Sequence, residues 1–370
     1  MLAAISRGRA VRACVLVLMF GVPVHASAQD AQLTARDAWA ALQSGDASKA
    51  AAIFRQELDR SPQNPTLHFG SAYASIALGR TDAAISSLKR AVEYNPKFLD
   101  AMILLSQVAY QSGDLDLALR TLEKAAALAP RNQEIANQLA EWRKESSLHQ
   151  SFQTHAGIRF NILFEGPAQK ALSDRVSALL ENAYWKIGQT LNIFPGEALN
   201  VILYSNKQFQ DITRAPAWAG GGFDGRIRIP VNGALKAPQL LDRVVTHEYV
   251  HAVLRAAAPA GLPAWINEGL ASHLESSNKS WAAAVLRRAD GRISLDDLVE
   301  GFGRFDGPTS AVAYAESQIA GQLLCERLGT SIGPFIQLLG SGHTVDQALS
   351  THGVRPELFY AEWRRRIGMN

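Results

Sequence analysis

The run Thr246-His247-Glu248-Tyr249-Val250-His251 holds the residues best suited to chemistry in this chain. His247 and His251 are four apart, so on an α-helix both imidazoles share a face and can meet at one ion. Glu248 is turned about 100° from His247, where it reaches a water on that ion without ligating it. Neutral imidazole suits Zn²⁺, and a catalytic zinc takes three protein ligands and keeps a position open. Glu268 is the third candidate: it lies seventeen positions after His251, beyond a turn at Ala258-Pro259-Ala260-Gly261. Pro263 suits the first turn of the helix that would carry it. His247, His251 and Glu268 around one Zn²⁺ per chain, with Glu248 as general base, would make a hydrolytic centre. Two blander readings stay open on the same residues: a buried helix with two core histidines, and a zinc site without catalysis.

Together with Trp265-Ile266-Asn267-Glu268-Gly269-Leu270-Ala271, this motif resembles the gluzincins, the thermolysin-like and aminopeptidase-like zinc metallopeptidases, including small bacterial MA-like domains. The resemblance covers roughly residues 152–370 and implies an α+β zincin-like domain that hydrolyses peptide bonds. It also implies an edge strand ahead of the histidine helix that pairs with the substrate backbone, here Gly222, Phe223, Arg226 and Ile227. Tyr314, at an expected helix start, becomes the candidate to steady the oxyanion, with core packing as its plainer role. The acidic Gly-x-Met-Glu-Asn run that holds a free amino terminus in aminopeptidases is missing, which favours an endopeptidase. The position one turn after the third ligand, where the family often places an acid to hold an imidazole, is Ser272, and His273 and Glu275 are read as off-phase.

Several elements must position these groups. Gln239 to Ala257 is apolar almost all round, including Leu240, and reads as a buried helix. Ile158 to Phe164 and Leu199 to Tyr204 read as strands, with a helix over Ala168 to Leu191 between them. Trp218 to Gly225 is glycine-rich, and Arg226 to Ile229, stopped by Pro230, reads as an edge strand. It is no nucleotide loop, since no Gly-Lys-Ser/Thr follows. Ser146 to Gln153 reads as a junction. Further on, Trp281 to Arg288 suggests a short helix, Ile293 to Leu298 a capped turn, Gly301 to Pro308 a loop, and Tyr314 the opening of a long helix to Gly329. Helices near Thr344–Ser350 and Pro356–Ile367 close the chain.

Upstream, the sequence repeats. Gly45, Gly79 and Gly113 are spaced by 34, as are Pro62, Pro96 and Pro130, Ala50, Ala84 and Ala118, and Phe54, Leu88 and Leu122. A period of 34 with glycine in the turn and proline at the unit end resembles tetratricopeptide repeats. Residues 30–150 are therefore expected to form an α-helical solenoid, closed by a helix over Ile135 to Trp142. Its first unit departs at Glu57, where the next two have Ala91 and Ala125, and that position is expected to be half exposed. Such a stack offers a groove to a protein partner; a brace or spacer is the alternative.

Residues 1–28 read as a secretory signal peptide: Arg7, Arg9 and Arg12, an apolar run from Ala13 to Val22, and a small-x-small site before a cut after Ala28. Export to the periplasm or the exterior follows, with no membrane span after its removal. Removing those three arginines takes the formal charge from +3 to 0. No basic surface then points to nucleic acid. Cys325 would be the one remaining cysteine, so no internal disulfide forms, and its apolar setting suggests a buried thiol. The chain is thus expected to be mainly α, a helical repeat array followed by an α+β zinc peptidase whose substrate is a peptide or protein. The alternative is a non-catalytic, zinc-stabilised repeat scaffold of the cell envelope.

Overall fold

The computed structural model describes residues 26–214, 221–231, 237–275 and 280–369, with no side-chain description for 26–33 and 168. The expected leader lies outside the described residues through residue 25, as does the 218–220 part of the glycine-rich run. The described residues fall into two compact units that divide between Ser146 and Ser147.

The first unit is all helix: α1 (Ala26–Gln43), α2 (Ala47–Arg60), α3 (Pro65–Ala77), α4 (Thr81–Tyr94), α5 (Leu99–Gln111), α6 (Leu115–Leu128) and α7 (Gln133–His149), whose last turn runs into the second unit. The 34-residue period is visible in its physics. Gly45, Gly79 and Gly113 all have positive φ, at 84°, 68° and 90°, where a side chain is costly. Asp46 and Asp114, just after two of those glycines, accept the Lys49 and Leu117 amides and cap α2 and α6. The second helix of each unit ends two residues before Pro62, Pro96 or Pro130. Ala50, Ala84 and Ala118 are fully buried, and Phe54, Leu88 and Leu122 fill beside them. Ile135, Leu139 and Trp142 of α7 cover the last pair, packing with Met102, Ala118 and Leu122. Glu57 differs from expectation: it is fully buried, and one carboxylate oxygen is held by Arg60 at 2.8 Å. Arg60 sits one turn on, so a buried acid is tolerated where its later equivalents are alanine.

The second unit joins a small sheet to helices. Its elements run β1 (Phe152–Ala156), β2 (Phe160–Glu165), α8 (Lys170–Leu191), β3 (Leu199–Tyr204), α9 (Asn206–Thr213), β4 (Gly222–Phe223), β5 (Ile227–Pro230), α10 (Pro238–Ala257), α11 (Ala264–Leu274), α12 (Ser280–Leu286), α13 (Gly307–Leu328), α14 (Ile332–Gly340), α15 (Val345–Thr351) and α16 (Pro356–Ile367). The strand order is β1-β2-β3-β5-β4. β2, β3 and β5 run parallel, and β1 and β4 flank them antiparallel. Alternation sends Phe160, Ile162, Phe164, Val201, Leu203, Ile227 and Ile229 into one core with α8 and α10. Ile202, Tyr204 and Phe209 form a smaller cluster with Leu148 and Phe152.

Six expectations are corrected here. Arg226 to Ile229 is not the sheet edge: Ile227 pairs with Val201 on one side and Phe223 on the other, so β4 is the edge. Leu240, at the solvent end of α10, is 48% exposed, whereas every residue from Val244 to Leu254 is buried. Part of the expected junction, from Phe152, is strand β1, and Ile158 is almost fully exposed. The long helix opens at Gly307, not Tyr314, because Asp306 caps it and Pro308 fits its first turn. Cys325 is partly buried, packed against the main core.

Candidate metal centre

Three helices build the site. α10 is buried along its middle, which places His247, Glu248 and His251 inside the unit. Gly261, with φ +95°, turns the chain after α10. Pro263 caps α11 rather than opening it, and the Ala264 and Trp265 amides are satisfied by the Val299 and Leu298 carbonyls. α11 then lies so close to α13 that a Cβ on Gly269 would fall on the Ser317 carbonyl, and one on Gly321 would fall on the Gly269 backbone. These two glycines let the helix of Glu268 and the helix of Tyr314 approach.

The expected ligands converge. His247, His251 and Glu268 each offer one atom such that all three lie within 4.8 Å of one another. His247 Nε2 and His251 Nε2 stand 3.5 and 3.6 Å from Glu268 Oε2, and all three residues are 1–3% exposed. Those three atoms are buried without a hydrogen-bond partner among the described residues. Buried polar atoms are normally paired, so a carboxylate facing two imidazoles this way needs a proton or a cation between them. Two histidines and a carboxylate with their lone pairs aimed inward are a donor set that fits Zn²⁺.

The outward nitrogens are held. His251 Nδ1 lies 3.2 Å from Asn267 Oδ1, and His247 Nδ1 lies 2.7 Å from Glu275 Oε2. With Nδ1 donating to those oxygens, each ring presents its Nε2 lone pair to the centre. Glu275 is therefore in phase with the site, contrary to the sequence expectation. Seven residues beyond Glu268 is about 700° of helix, only some 20° short of two full turns. The signal was in the spacing, two turns on instead of one. Arg243, one turn before His247, grips the other oxygen of Glu275 at 2.6 Å.

The charges respond to this crowding. Burial opposes charge on His247, but contacts with Glu268 and Glu275 outweigh it and push the imidazole up to about 10. Burial and the neighbouring His247 pull His251 down to about 4, although Glu268 works the other way. Burial pushes the Glu248 carboxyl up to about 8; His247 opposes that rise, and Glu268 and Glu275 add to it. Glu275 is held below the usual carboxylate range despite its burial, because His247 and Arg243 bond to it.

Two further groups approach Glu248. Tyr314 is buried, with its phenol raised well above the usual value by burial and then by Glu268 and Glu248. It therefore stays a proton donor at any ordinary pH. Gly221, the residue before β4, packs on the base itself: a Cβ there would sit 2.7 Å from Glu248 Oε1. No spacing rule marks that glycine in advance. Of the expected substrate strand, Gly222 and Phe223 form the edge β4 and contact α10. Arg226 is buried, with Asp224 3.7 Å away, and Ile227 is an inner-strand residue, so these two do not present an open edge.

The family comparison falls on the other unit. A family profile described as tetratricopeptide repeat matches residues 41–86 and 75–141. Residues 41–141 are tetratricopeptide repeats. No curated protein matches the chain. Among solved structures, it is similar at 23% identity to the first TPR domain of Spaghetti (RPAP3) bound to an HSP90 peptide, over 32% of this chain and 97% of that one, with a TM-score of 0.30. It is also similar, at 13% identity, to the myosin chaperone UNC-45 from C. elegans in complex with an Hsp90 peptide, over 91% of this chain and 29% of that one, with a TM-score of 0.29. The chain thus spans less than a third of that chaperone, and at such scores nothing about its function follows. Among the described residues no helix is long and apolar enough to cross a membrane.

Proposed function

We propose that the second unit is a zinc-dependent peptidase of the gluzincin type, with a zincin-like α+β fold, and that the repeats dock a protein partner or substrate. One observation carries the reading: three buried donor atoms from two helices lie within 4.8 Å of one another with no hydrogen-bond partner among the described residues. His247, His251 and Glu268 would hold the zinc ion, which when bound would supply Lewis acidity toward a water and a substrate carbonyl. Glu248 takes a proton from the attacking water as its oxygen bonds to the carbonyl carbon. Glu248 then passes that proton to the amine as the carbon–nitrogen bond breaks. Tyr314 donates its phenolic hydrogen to the carbonyl oxygen as that oxygen gains charge. The open side of β4, at Gly222 and Phe223, receives an extended peptide as an added strand. No acidic cluster for a free amino terminus stands in the sequence near that strand, which supports an endopeptidase.

A non-catalytic zinc-stabilised scaffold is the second reading. It is favoured by the family match falling on the repeats alone. The experiment measures zinc per chain and then cleavage of a denatured protein library by the wild type and Glu248→Gln. The peptidase reading expects one zinc in both, with cleavage falling at least about 10³-fold in the variant. Zinc without turnover in the wild type supports the scaffold, and absence of zinc removes both. Periplasmic or secreted placement, proposed from the leader, is tested by the mature amino terminus of the exported protein.

A further inference from the structure

We infer that Arg243 is a positioning residue for His247, acting through Glu275. The inference rests on the zinc reading above and concerns how one ligand is aimed. Arg243 and His247 are four apart on α10, so both side chains leave the same face. Glu275 ends α11. Its Oε1 accepts from Arg243 Nη2 at 2.6 Å and Nε at 3.3 Å, while its Oε2 lies 2.7 Å from His247 Nδ1. The contact leaves α10, crosses one carboxylate on α11, and returns to α10 one turn further on.

A carboxylate held at one oxygen can still rotate. Glu275 is held at both: two guanidinium nitrogens anchor Oε1 and His247 Nδ1 faces Oε2, and two anchored oxygens together set the plane of the carboxylate. With Oε1 fixed, Oε2 stays aimed at Nδ1, and His247 keeps its proton there and its lone pair on Nε2. The side chain of Glu275 is 3% exposed and that of Arg243 is 34% exposed. The arginine therefore brings a counter-charge to a carboxylate that water scarcely reaches. A lysine ammonium is a point charge without the fork, so it replaces the charge but not the alignment. Loss of an outer contact of this kind typically weakens metal binding about 10–100-fold.

The test titrates zinc into the metal-free full chain against a competing chelator, for the wild type, Arg243→Lys, Arg243→Met, Glu275→Gln and the double variant Arg243→Met/Glu275→Gln. Melting curves accompany each. Arg243→Met is expected to bind zinc at least about 10-fold more weakly, with Arg243→Lys between it and the wild type. The double variant is expected to match Glu275→Gln, because the arginine acts through that carboxylate. Imidazole nitrogen NMR of the zinc-bound protein is expected to show the His247 Nδ1 proton shifted in Arg243→Lys. Wild-type affinity in both arginine variants, or losses that add in the double variant, overturns the role of Arg243 and leaves the zinc site standing. Should Arg243→Met not fold, an unshifted Nδ1 proton and unchanged affinity in Arg243→Lys overturn it. No zinc binding by the wild type overturns the zinc reading and this inference together.

Discussion

The repeat unit and the sheet-bearing unit bury different things. In the repeats, Ala50, Ala84 and Ala118 recur at the same depth, and the turn glycines repeat the same positive φ. Stability there is a sum of similar neighbour contacts, and no single point is special. The second unit gathers His247, Glu248, His251, Glu268 and Glu275 into one buried cluster. Burying so many ionisable groups costs free energy unless they are paired or hold a metal. Glycine shows the same contrast. Gly79 serves a backbone angle, whereas Gly221, Gly269 and Gly321 make room for other atoms.

That contrast breaks most visibly at Gly221. Gly221→Ala places a methyl against the Glu248 carboxylate and is expected to lower kcat about 100-fold, since a 1 Å misplacement costs about that much. Zinc content and melting temperature should barely move, and peptide turnover beside metal analysis checks it. A large stability loss with turnover intact would show Gly221 to be an ordinary packing glycine. Gly321→Ala is expected to cost about 1–3 kcal/mol by forcing α13 from α11. It should also weaken zinc binding, because Glu268 moves with α11; denaturant melts and a zinc titration read both.

A pH effect separates the units further. Burial raises the Glu316 carboxyl from 4.5 to about 7, although the Ile293 amide and Arg292 act the other way. The folded state therefore keeps this proton where the unfolded chain has lost it, and the contribution of Glu316 to the stability of the second unit falls as pH rises between about 4.5 and about 7. Glu316→Gln is expected to flatten that slope, and denaturation across this pH range checks it. The smallest change belongs to the repeats: Gly79→Ala, at a φ of 68°, should cost about 1–2 kcal/mol of stability and leave peptide turnover and zinc content unchanged. Lost turnover there would tie the repeats to the chemistry.

The sequence by itself carried what is local or periodic. Two histidines four apart must share a helical face, a 34-residue period must stack, and glycine and proline at fixed offsets must turn or stop helices. Hence the repeat helices and the set His247, His251 and Glu268 are legible in the sequence alone. Glu275 was legible too, once two turns are counted instead of one. Tertiary structure decided which strand is the edge, because β5 gains a second partner only when Gly222 and Phe223 fold back upon it. It also decided that Glu57 is buried, that Gly221 seats against Glu248, and that Arg243 meets a carboxylate 32 positions away. Those facts depend on distances between segments remote in the chain, and neither helical nor strand periodicity encodes such distances.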